Sequence, residues 1–121
     1  MNKKVLIVES EPWLADHYQR TLERQGFVIE RASNAYSAMD SIDDNLPDAV
    51  LMNVSLSGAS SIALLHELQA YADTGSLPII VCGHAGDLTI DELQPYGVKR
   101  LVDSMTMRPD DLVAAVRGVL L

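Results

Sequence analysis

PDAVLMNVSLSG, residues 47–58, contains an unbroken apolar run, Ala49 to Met52, that ends on the polar Asn53. Such a run suits a strand buried on both faces, as in a parallel sheet covered by helices. Working outward, similar runs stand at Val5 to Val8, Phe27 to Ile29, Ile79 to Cys82 and Leu101 to Val102. Between them the apolar residues take helical spacing: Leu14, Tyr18 and Leu22; Ala35, Ala38, Met39 and Ile42; Ile62, Leu65 and Leu68; Leu112, Ala115, Val116 and Val119. Each set lays one apolar stripe on a sheet. The fourth connection, Asp87 to Gln94, predicts a short helix stopped by Pro95. Pro12 and Pro109 suit the first turn of a helix, and Gly26 the left-handed residue that ends one. The pattern is βα repeated five times, a doubly wound α/β fold with a five-stranded parallel sheet expected in the order 2-1-3-4-5.

With 121 residues, 48% of them apolar, the chain has the size and core of one domain, and 1–121 is read as a single unit. Its 17 acidic and 9 basic residues give a net charge of -8, which repels nucleic-acid phosphates and sets aside direct nucleic-acid binding. Cys82 is the one cysteine, so there is no internal disulfide and no paired spacing for zinc. MNKK leads into the short apolar run VLIV, too short for a signal-peptide core or a membrane span, and a cytoplasmic location is expected.

Ligands of such sheets bind beyond the carboxyl ends of the strands. That rim is Glu9 to Glu11, Asn53 to Ser57, Gly83 to Ala85 and Asp103 to Met105. Five fragments, in order and at matching spacing, resemble the response-regulator receiver family over essentially the whole chain: KKVLIVESEP (3–12), QGFVIERASNAYSAMDSI (25–42), PDAVLMNVSLSG (47–58), LPIIV (77–81) and YGVKRLV (96–102). The resemblance implies a flavodoxin-like receiver fold. Active members of that family carry an acid pair after the first strand, a phosphate-accepting aspartate after the third, a hydroxyl residue after the fourth and a lysine after the fifth. These positions match Glu9 and Ser10, Asn53, Gly83 and Ser104. A shift by one residue before Pro109 would move the last to Met105, which is not a lysine either. The aromatic residue that family members carry on the fifth strand is here Leu101.

Each difference has a chemical consequence. The neutral amide of Asn53 supplies no anionic oxygen to attack phosphorus. Magnesium needs hard anionic oxygens in tight octahedral geometry, and the rim offers Glu9 without the second acid of the pair or the acceptor carboxylate. Gly83 brings no hydroxyl and Ser104 no ammonium to a transferring phosphoryl group. The resemblance therefore implies a pseudo-receiver: no enzyme, no cofactor, no metal, and a role in binding a protein partner or a second copy of itself. The alternative is a receiver still phosphorylated at a serine or at Glu9. A flavin- or nucleotide-binding domain of similar topology is the third reading, but no phosphate loop accompanies Gly83 and Gly86.

Other residues have simple readings. Ser55, Ser57, Ser60 and Ser61 suit a polar loop capping the next helix. Glu9, Glu11 and Asp103 suit solvated or capping carboxylates. His84 suits a surface loop, or a plug donating to Asn53. His17, His66 and Cys82 form no recognisable metal set. The resemblance points to the fourth helix, fifth strand and fifth helix as a partner face, including Asp91, Glu92, Gln94, Tyr96, Lys99, Arg100 and Asp110. There Tyr96, Lys99 and Arg100 put an aromatic ring and two cations on an acidic domain.

Overall fold

The computed structural model describes residues 2–53, 61–83, 89–104 and 107–120. Strands and helices alternate: β1 (Lys4–Val8), α1 (Pro12–Glu23), β2 (Val28–Ala32), α2 (Ala35–Asp44), β3 (Ala49–Asn53), α3 (Ser61–Ala70), β4 (Ile79–Gly83), α4 (Ile90–Leu93), a 3-10 turn (Gln94–Tyr96), β5 (Val98–Asp103) and α5 (Pro109–Leu120). The strands pair in parallel in the order β2-β1-β3-β4-β5, the doubly wound sheet expected from the sequence.

The unbroken apolar runs of β1, β3 and β4 fill the middle of the sheet, covered on both sides. Leu6, Val8, Val50, Met52, Ile79 and Val81 meet α2 and α3 on one face. Val5, Ile7, Leu51, Ile80 and Cys82 meet α1 and α5 on the other. The two outer strands depart from the expected pattern. β2 runs through Glu30 and Arg31 rather than ending at Ile29, and Phe27 precedes it. β5 starts at Val98, ahead of the apolar pair Leu101 and Val102. An edge strand has a neighbour on one side only, so it tolerates charged residues that an inner strand excludes, and an apolar run alone underestimates its length. Along β5, Ile79 pairs with Val98 but Ile80 with Arg100, so Lys99 is an extra, bulged residue.

Helix ends follow local chemistry. Pro12 and Pro109 open α1 and α5, where a missing N–H costs no hydrogen bond. The Asn34 side chain accepts from the Ser37 N–H at 2.9 Å at the start of α2. The helix expected over Asp87 to Gln94 is a single turn: Thr89 caps it by accepting from the Glu92 N–H at 3.3 Å, and Pro95 lies inside the 3-10 turn that continues it. Asp87 and Leu88 lie outside the described residues. Gly97 then turns the chain into β5 at φ 87°, a left-handed conformation that favours glycine.

Candidate functional site at the carboxyl ends of the strands

The strand order reverses between β1 and β3, so the chain leaves these neighbours toward opposite faces and opens a crevice at their carboxyl ends. Glu9, the residue after β1, and Asn53, the last of β3, meet there. Asn53 Nδ2 donates to Glu9 Oε1 at 2.7 Å, and the Glu11 backbone N–H donates to Glu9 Oε2 at 3.1 Å. The Glu9 N–H donates in turn to the Ala32 carbonyl at 3.0 Å. Glu9 is only 4% exposed. A carboxylate so enclosed needs a donor for each oxygen, and a side-chain amide and a backbone N–H meet that need without adding charge.

The other rim positions close around this pair differently. Gly83 is buried at the end of β4, and its carbonyl accepts from the Ser104 N–H at 3.0 Å, which ties β5 to β4 at the rim. Ser10 and Asp103 are half-buried, whereas Glu11 and Ser104 are exposed. His84, Met105, Ser55, Ser57 and Ser60 lie outside the described residues, as does the side chain of Ser61. A donor to Glu9 from Asn53 itself escaped the sequence reading. The signal was present in the expected strand order, which makes the ends of β1 and β3 adjacent.

Beneath Glu9, on the α1 and α5 side, the Tyr18 hydroxyl is buried beside Cys82 without a hydrogen bond of good geometry among the described residues. Burial, then the charge that Cys82 carries only once ionised and that of Glu9, raise the phenol well above its ordinary value. Burial likewise pushes the Cys82 thiol up to about 12, so at neutral pH it is a protonated core side chain. Among the described residues no three His, Cys, Asp or Glu side chains stand together as a metal site. No helix among them is long and apolar enough to cross a membrane.

The residues expected on a partner face are spread out. Asp91 and Glu92 are exposed on α4, and Tyr96 is half-buried, edge-on to His66 of α3 with ring centroids 4.9 Å apart. Lys99 is exposed at the bulge, while the Arg100 guanidinium lies over Gly118 of α5. Asp110 borders the groove between α1 and α5, with His17 and Arg20.

Residues 5–117 match the response regulator receiver domain. The chain belongs to that family. This receiver domain is similar to the response regulator Rre1 of Synechocystis, at 31% identity over 96% of the chain and 51% of that protein. It is also similar to the transcriptional regulatory protein CseB of Streptomyces coelicolor, at 29% identity over 96% of the chain and 48% of the relative. The phosphate regulon transcriptional regulatory protein PhoB of Escherichia coli matches at 25%, over 99% of the chain and 52% of its own length. The chain thus spans about half the length of the curated relatives it matches. Among solved structures, a putative response regulator from Chloroflexus aurantiacus superposes with a TM-score of 0.91 at 26% identity, covering 99% of this chain and 98% of that one. The receiver domain of NtrX from Brucella abortus shares the fold, with a TM-score of 0.87 at 24% identity over 96% and 97% of the two chains.

Proposed function

We infer that this receiver domain, one unit from residue 1 to 121, acts as a cytoplasmic protein-binding module whose state is not set by aspartyl phosphorylation. The observation that carries this reading is the Asn53–Glu9 hydrogen bond. Forming an acyl phosphate requires a carboxylate oxygen to attack phosphorus while the donor's leaving group departs, and the Asn53 amide has no anionic oxygen to offer. Its amide N–H faces Glu9, the rim carboxylate at the family's acid-pair position, and that carboxylate already has a donor for each oxygen. Gly83, Ser10 and Ser104 supply neither a side-chain hydroxyl at the β4 position, a second acid, nor an ammonium. Glu9 is a poor substitute acceptor for the same reason: it is buried and engaged on both sides.

Incubation with a small acyl-phosphate donor and magnesium, followed by intact-mass measurement, tests the reading. The unmodified mass is expected, and a stoichiometric phosphoryl adduct would overturn it. Trp13, 67% exposed one residue into α1, provides a second readout. Its fluorescence is expected to stay flat through millimolar magnesium, whereas saturable quenching would place a cation at the rim.

A further inference from the structure

Helices α2 and α3 share the face of the sheet opposite α1 and α5, and a groove follows their seam. Two adjoining hollows of roughly 200 and 340 Å³ share Met39 and Glu67. Met39 and Ala63 line it with accessible apolar surface over the buried Ala35 and Leu64, and an exposed ring stands toward each end: Tyr36 at the start of α2, 71% exposed, and Tyr71 just beyond α3, 55% exposed. Paired exposed aromatics around an apolar hollow with a polar rim are features of an interaction surface rather than of ordinary solvent-facing helices.

The rim also has a definite sign. Asp43, Glu67 and Asp73 border the lower hollow. The stretch from Ala32 to Val98 holds nine of the chain's 17 acids and none of its 9 Lys and Arg residues, so it carries -9, while eight acids and nine cations elsewhere leave +1. The seam lies inside the stretch that accounts for the whole net charge. Both ion pairs among the described residues, Lys4–Glu30 and Arg31–Asp16, lie outside it.

We propose that the α2–α3 seam docks a positively charged, apolar-faced helical segment of a partner protein. Ten residues of α2 give a groove about 15 Å long, enough for apolar anchors at i, i+3, i+4 and i+7 of such a helix. Its Lys or Arg side chains would meet Asp43, Glu67 and Asp73, while its apolar face covers Tyr36 and Met39. A second copy of this chain fits less well: Arg20 and Arg24 line a hollow of their own between α1 and α5, so two copies would meet concavity to concavity.

The test titrates the chain with a synthetic amphipathic helix of leucine and lysine, and with the same peptide carrying glutamate for lysine, read by NMR shifts. The lysine peptide is expected to move resonances of Tyr36, Met39, Leu64 and Tyr71. Asp43→Asn with Glu67→Gln should weaken it by about tenfold. The same charge removed from α4, by Asp91→Asn with Glu92→Gln, should weaken it by less than about threefold. Equal loss in both pairs, binding of the glutamate peptide, or shifts scattered away from the seam would overturn the proposal. So would peptide-free self-association that is abolished by Arg20→Glu with Arg24→Glu, since it would assign the groove to a second copy. The seam shares no residue with the Glu9–Asn53 pair, so a phosphoryl adduct would sink the earlier reading and leave this one standing.

Discussion

Asn53 is a single-atom substitution away from aspartate, and that atom decides the electrostatics of the rim. An oxygen in place of Nδ2 would set two carboxylates against each other across the 2.7 Å contact with Glu9. One of the two must then hold a raised pKa in the folded state, so its protonated form stabilises at low pH and the stability is lost as pH rises through that value. Asn53→Asp is expected to cost about 1–3 kcal/mol at pH 7, with a deficit that shrinks on acidification. Urea unfolding across pH checks this, and a pH-independent deficit would exclude charge as the cause. Tyr18 poses the opposite case, a buried hydroxyl with no well-formed hydrogen bond among the described residues. Tyr18→Phe is expected to be neutral or to stabilise by up to about 1 kcal/mol, because it removes a desolvated polar group without opening a cavity. A clear loss in thermal unfolding would reveal a partner for that hydroxyl.

Between neighbouring elements, side chains carry connections that backbone pairing does not. Lys4 Nζ of β1 donates to Glu30 Oε1 of β2 at 2.8 Å, and the Ser41 hydroxyl of α2 donates to the other Glu30 oxygen at 3.1 Å. The Lys4 hydrogen bond, with Ser41 and the Lys4 charge adding to it against desolvation, holds the Glu30 carboxyl below its ordinary 4.5. A depressed folded pKa gives stability that is present above 4.5 and lost as pH falls through the lower folded value. With the side chain about a third exposed, solvent screening limits Glu30→Gln to a loss of about 0.5 kcal/mol at pH 7. The difference from the parent should vanish in strong acid; a loss that persists there would show that shape, not charge, matters. At Gly97, a methyl group would collide with the Gln69 side-chain amide, but that side chain can swing away and the backbone at φ 87° cannot. Gly97→Ala is therefore expected to cost about 1–2 kcal/mol even when Gln69 is also trimmed to alanine, as measured by thermal unfolding of both variants. These connections also mark where sequence reading stops. The inner strands were legible because Ala49 to Met52 and Ile79 to Cys82 satisfy the one requirement of an interior position, apolar surface on both sides. β2 was not bounded correctly because Glu30 and Arg31 are polar for reasons set by Lys4, Asp16 and Ser41, which come from other parts of the chain. The rim positions could be aligned one by one, but the hydrogen bond between residues 9 and 53 depends on rotamers that spacing does not encode.

At the level of the whole molecule, two cores pressed on one sheet set the shape, and an uneven charge distribution sets the response to solvent. A net charge of -8 with its excess confined to residues 32–98 means that the α2, α3 and α4 side repels itself. Raising sodium chloride from about 10 mM to about 1 M shortens the screening length from about 30 to about 3 Å, and a higher urea midpoint is expected. Asp43→Asn should reproduce part of that gain at low salt; a midpoint that falls with salt would show that attractive pairs outweigh the repulsion. The bulge at Lys99 has a different kind of consequence. An outer strand with evenly spaced N–H and C=O groups is a template on which a stray chain can zip up, and stacking of that sort seeds fibres. One residue too many in β5 interrupts the even spacing along its open margin, and Glu30 and Arg31 place charges along the opposite margin. Both open margins of the sheet thus disfavour the addition of a sixth strand from another chain.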